Sequence, residues 1–109
     1  MITIIDYGVG NLGSIQNMLQ RIGLPSRVTS IAEEVKKAER IILPGVGAFD
    51  AAMTKLGQTE IPDLLRERAA KGYPILGICL GAQLLTSKSE EGTLPGLNLI
   101  EAHCIKFNA

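Results

Sequence analysis

The sequence predicts an α/β fold, an open and mainly parallel sheet with helices on both faces. Short β-branched or apolar runs alternate with segments of helical spacing, giving the order β-α-β-α-β-α-β-α-β. One of these runs, Pro74–Ile78, is apolar throughout, which is the pattern of a central strand buried on both faces. The length of 109 residues suits one domain, and no repeat or low-complexity stretch divides it.

Met1–Asp6 is short and β-branched and reads as the first strand. Gly8, Gly10 and Gly13 form a glycine-rich turn. Leu12, Ile15, Leu19 and Ile22 then recur at helical spacing until Gly23 and Pro25 stop the helix. Arg27–Thr29 reads as a second strand. Ser30 and Glu33 have the spacing of a capping box, with Ser30 as N-cap, and predict a short helix to about Ala38. Arg40–Leu43 is the third strand and Phe49–Leu56 the next helix. Pro62 marks the start of another helix, running to Gly72. After Pro74–Ile78 the chain turns helical over Leu80–Leu85. Ser87–Gly96 is polar and reads as a loop, and Leu97–Glu101 and Cys104–Phe107 as strands of a hairpin or meander.

Composition narrows the function. Hydrophobic residues make up 46% and aromatics only 4%, so the core is aliphatic. Lys+Arg and Asp+Glu both total 11, and no basic run is interleaved with aromatics, which argues against nucleic-acid binding. No apolar run is long enough to span a bilayer, and the first residues lack the pattern of a signal peptide, so a cytoplasmic protein is expected. Cys79, Cys104 and His103 have no metal-binding spacing; neither a metal nor another cofactor is expected.

Gly77-Ile78-Cys79-Leu80-Gly81 carries the strongest chemical signal. It follows an apolar strand and precedes a helix, with a small residue two before and two after the cysteine. A nucleophile elbow needs this spacing, because side chains there would strike the flanking strand and helix. The helix start favours thiolate, and the Leu80 N–H is placed for an oxyanion. The plainer reading is a buried cysteine at a strand end. Pro44-Gly45-Val46-Gly47 also follows a strand, so it belongs at the same sheet edge; it reads as the other half of an oxyanion hole or as an ordinary turn. Gly8-Val9-Gly10-Asn11-Leu12-Gly13 fits G-x-G-x-x-G, which leaves open a non-catalytic flavodoxin-like or dinucleotide-binding module. That reading also needs an acid ending the second strand, and Glu33 is better used in the cap. His103, the only imidazole, reads as an exposed strand residue rather than a base. Glu90 and Glu91 are either a solvated pair or carboxylates for a substrate ammonium group.

Gly77–Leu85, GICLGAQLL, resembles the nucleophile signature of the class I, triad-type glutamine amidotransferases. The opening Ile4–Ser14, the stretch Ile42–Phe49, Ser89–Gly92, and Pro95-Gly96-Leu97 leading to Lys106-Phe107 are similar to the glutaminase subunits of imidazole glycerol phosphate synthases. The resemblance implies an enzyme in which Cys79 attacks the side-chain amide of glutamine, giving a thioester and ammonia. It implies an oxyanion hole from Leu80 and the Val46–Gly47 turn, and a substrate glutamine held by Gln83 and Glu91. It implies that Tyr7, Gly8, Val9, Gly10 and Asn11 face a TIM-barrel cyclase in a heterodimer. The family's His-x-Glu pair has no counterpart here. Residues 1–109 are therefore expected to be the N-terminal part of one amidotransferase domain, incomplete at the C-terminus and inactive alone.

Overall fold

Alternation within the strands decides which residue faces which helical layer. In the computed structural model, β1 (Ile2–Ile5) and β3 (Ile41–Leu43) send Ile5, Ile41 and Leu43 to one face, and Ile4 and Ile42 to the other. The structure describes residues 1–8, 10–78, 80–89, 92, 94–99 and 103–104; residues 80, 88, 89, 103 and 104 are described by their backbone. Four strands pair in the order β2-β1-β3-β4, with β2 at Ser26–Thr29 and β4 at Ile75–Gly77, and every pairing is parallel. The parallel four-strand core expected from the sequence is therefore present.

On the first face, Val35 of α2 (Ala32–Lys36), Leu56 of α3 (Phe49–Gly57) and Leu64 and Leu65 of α4 (Ile61–Ala70) form one core with Ile5, Ile41 and Leu43. On the second, Ile15 and Leu19 of α1 (Leu12–Arg21) pack on Ile4 and Ile42. The α1 stripe ends there: Met18 and Ile22 are exposed, and the chain leaves the helix through Gly23 at φ +79°. After β4 come α5 (Leu80–Leu84) and a separate two-stranded parallel sheet, β5 (Lys88–Ser89) with β6 (His103–Cys104). Among the described residues, no helix is long and apolar enough to cross a membrane.

Three expectations need correction. First, β4 lies at an end of the four-stranded sheet rather than its middle, and Leu76 is 59% exposed. Its apolar run reflects contacts made on both faces, Ile75 with the larger core and Ile78 with the α1 layer. Such contacts carry no information about the number of flanking strands. Second, Ser30 does not cap α2. The N-cap is Ile31, with no side-chain cap bond, and the helix stops at Lys36. Thr29 Oγ1 accepts from the Ile31 N–H at 3.0 Å and donates to Glu34 Oε1 at 2.6 Å, while Arg27 donates to Glu34 Oε2 at 2.7 Å. The predicted box is thus replaced by bonds that tie Glu34 of α2 to Arg27 and Thr29 of β2. Third, Leu97–Leu99 is not a strand. Its N–H groups donate to the carbonyls of Leu84, Thr86 and Leu85, with Asn98 at φ +56°, so it wraps the C-terminal end of α5. The predicted loop instead contains β5. Residues 100–101 and 105–107 of the predicted strands lie outside the described residues.

Candidate active site

Because β3 and β4 are parallel neighbours, the turns that leave them sit side by side at the carboxyl edge of the sheet. Leu43 is in register with Gly77. The Ile78 N–H donates to the Leu43 carbonyl at 3.0 Å, and the Gly81 N–H donates back to the Ile78 carbonyl at 2.9 Å. Strand gives way to helix within this short span. A Cβ on Gly77 would stand 2.6 Å from the Cα and N of Ala82. A Cβ on Gly81 would fall on the Leu43 carbonyl oxygen and stand 2.8 Å from the Leu43 carbonyl carbon. Side chains are excluded on both sides of the turn, as an elbow at residue 79 demands. Cys79 itself lies outside the described residues; its frame, Ile78 before and α5 after, is described.

Pro44 joins this turn to two others. Its carbonyl accepts the buried Tyr7 hydroxyl at 2.6 Å. Burial pushes the Tyr7 pKa up to about 12, because the phenolate would lose its hydration there. Gly10, at φ +123°, brings its backbone against the Pro44 ring, and a Cβ there would stand 3.1 Å from Pro44 Cβ. Beyond Pro44, Val46 is 54% exposed and Gly47 has φ +96°. Among the described residues, no backbone carbonyl accepts the N–H of Val46 or Gly47. In the first turn of α5 the Gly81 N–H is taken by the Ile78 carbonyl. Donors such as those of Val46 and Gly47, at the edge of the sheet, are of the kind that can stabilise an oxyanion. Among the described residues, no cluster of His, Cys, Asp or Glu could hold a metal ion.

The profile of the family described as glutamine amidotransferase class-I matches residues 3–104. The chain belongs to that family. It is 50% identical over 108 residues to the imidazole glycerol phosphate synthase subunit HisH 2 of Methanococcus maripaludis, covering 98% of this chain and 54% of that protein. It is 46% identical over 110 residues to the subunit HisH of Bacillus subtilis, covering 100% of this chain and 52% of that one. The chain thus spans about half the length of the curated relatives it matches. A crystal structure of a glutamine amidotransferase superposes with a TM-score of 0.79 at 22% identity, covering 94% of this chain and 55% of the other, and supports the fold.

Within this amidotransferase fold, the predicted site residues fall into three groups. The start of α5 sits, at Gly81, on Leu43 and Pro44, from which the chain runs directly into Val46 and Gly47. Gln83 is half-buried on α5. Glu91, Val9 and the neighbouring Glu90 lie outside the described residues, and His103 enters only through the backbone of β6. In the predicted partner-facing segment, the Tyr7 side chain points inward while Gly8 and Asn11 are exposed. Lys55 Nζ reaches the Gly8 carbonyl at 3.5 Å, and Asn11 caps α1 by accepting from the Ser14 N–H at 3.3 Å. The dinucleotide reading finds no support in Gly13. The third fingerprint glycine serves close helix–strand packing, yet a Cβ on Gly13 would meet nothing within 4 Å.

One residue escaped the sequence reading. Asp50, in the first turn of α3, accepts the Leu94 N–H on Oδ1 at 2.9 Å. An acid in a first helical turn reads as an ordinary helix-start charge, and nothing in the sequence pairs it with a position 44 residues away.

Proposed function

We propose that this chain carries the nucleophile half of a glutamine-hydrolysing site that serves a synthase. The observation that carries this reading is the turn between β4 and α5, closed to side chains at Gly77 and Gly81 and seated on Leu43 and Pro44. In the reading, the Cys79 thiolate attacks the side-chain amide carbon of glutamine. The developing oxyanion is met by N–H groups of Leu80 and the Val46–Gly47 turn. The tetrahedral species collapses to a thioester as the C–N bond breaks, and the nitrogen leaves as ammonia once it takes a proton. Water then opens the thioester to glutamate and free thiol. Gln83 and Glu91 hold the substrate.

The names of the relatives support the choice of synthase: the ammonia passes to a TIM-barrel cyclase subunit, which makes imidazole glycerol phosphate and AICAR for histidine biosynthesis in the cytoplasm. Exposed Gly8 and Asn11, which lead through Tyr7 and Gly10 to Pro44, suit a cyclase-facing segment. The test is labelling by a chloroketone analogue of glutamine, in which the thiolate forms a C–S bond and chloride leaves. One label on Cys79, blocked by excess glutamine, with Cys104 spared, is the expected result. Equal labelling of both cysteines, indifferent to glutamine, would overturn the reading.

A further inference from the structure

We infer that Asp50 is a positioning residue for the amide substrate, an inference that rests on the glutaminase reading above. Asp50 lies three residues beyond Gly47, in the first turn of α3, so it is fixed to the same backbone that supplies the Val46–Gly47 donors. From there its Oδ1 accepts the Leu94 N–H at 2.9 Å. A Cβ on Gly92 would collide with that same oxygen and stand 2.7 Å from Cδ1 of the fully buried Phe49, which has no room to yield. The backbone at Gly92 and Leu94 is therefore pressed onto the start of α3 and held there by one carboxylate.

The far end of the segment is held independently. The Gly96 N–H donates to the Ser87 carbonyl at 2.9 Å, the Leu97 N–H donates to Leu84 at 2.7 Å, and a Cβ on Gly96 would fall on the Thr86 carbonyl oxygen. The segment is thus anchored to α5 at one end and to α3 at the other. Gly92 directly follows Glu91, the residue proposed above to hold the substrate. Asp50 accordingly ties the two parts of the proposed site together: the Val46–Gly47 turn precedes it in the chain, and the backbone at Gly92 and Leu94, next to Glu91, is held against it. Its contribution falls on how well glutamine is held rather than on how fast the thiolate attacks.

Chloroketone labelling of Cys79 separates the two quantities, half-saturating concentration and rate constant at saturation. Asp50→Ala is expected to raise the half-saturating concentration about five- to tenfold, the scale of one ordinary hydrogen bond, with the saturated rate within about twofold. Asp50→Asn keeps an oxygen for the Leu94 N–H and is expected to restore the wild-type value. Gly92→Ala, which displaces the segment while sparing the carboxylate, is expected to shift the same quantity. The double variant should then be no weaker than the worse single, because both changes break one contact. Asp63→Ala, an exposed carboxylate on α4, is the unaffected control. An unchanged half-saturating concentration in Asp50→Ala, no rescue by Asn, or full additivity with Gly92→Ala would each overturn the inference. Failure of the wild-type chain to show saturable, glutamine-protected labelling would instead overturn the glutaminase reading.

Discussion

Gly81→Ala places a methyl group on the Leu43 carbonyl oxygen, and the backbone on both sides of that contact is fixed by hydrogen bonds. We expect it to destabilise the fold by about 3 kcal/mol, the upper part of the range for overpacking, and Gly81→Val by more. Gly57, where a Cβ meets nothing within 4 Å, is the control: Gly57→Ala should be neutral or stabilising by about 0.5 kcal/mol. Urea denaturation of the two variants checks the contrast. Tyr7 gives a pH signature of its own. Its folded-state pKa of about 12 exceeds the unfolded value of about 10, so above pH 10 the unfolded chain releases the phenolic proton first. The stabilisation present below pH 10 is therefore lost as pH rises toward 12, by an amount on the order of 2 kcal/mol. Tyr7→Phe should lack this alkaline component in chemical denaturation run across that range.

Among the elements, α4 is joined by a buried cation to the segment that follows α2. Arg68 is 6% exposed, its Nε donates to the Ala38 carbonyl at 2.9 Å, and its guanidinium lies 3.8 Å from the centroid of the Tyr73 ring. Removing it strands the Ala38 carbonyl and empties the space over Tyr73. Arg68→Ala should cost about 3 kcal/mol in thermal or urea unfolding, and Arg68→Lys should recover little, since an ammonium cannot fork onto one carbonyl while lying flat on a ring. The sequence placed Arg68 on this helix beside Leu64 and Leu65 without revealing that it points inward. The same limit recurs elsewhere. The four strands of the main sheet and the long helices were legible because alternation and helical spacing are local patterns. Strand order was not: Pro74–Ile78 reads the same at a sheet end as at its centre. The α2 cap was misread by one residue because Glu34, rather than Glu33, has partners on β2. Leu97–Leu99 passes for a strand because its partners are helix-end carbonyls, invisible to periodicity. At the site, glycine spacing announced the two positions closed to side chains, Gly77 and Gly81, whereas Asp50 depends on a distant backbone N–H.

At the scale of the whole molecule, the chain supplies a nucleophile frame and one imidazole, His103. Thioester formation and hydrolysis both require proton transfers that a lone thiolate cannot perform. We therefore expect the purified 109-residue chain to release ammonia from glutamine no faster than its Cys79→Ser variant, with or without a cyclase subunit. Continuous ammonia detection checks this, and cyclase-stimulated release abolished by His103→Ala would contradict it. The pairing of β3 with β4 also bears on how the molecule is made. These strands are adjacent in space, yet the whole crossover from Pro44 to Pro74, with α3 and α4, separates them in the chain. Closing that crossover costs entropy before any β3–β4 contact repays it, so this edge forms late in folding. Until it closes, the turns after β3 and β4 are strangers. On the reading proposed for Cys79, a nascent chain is then expected to keep that thiol no more reactive than an ordinary cysteine until the sheet around it is complete.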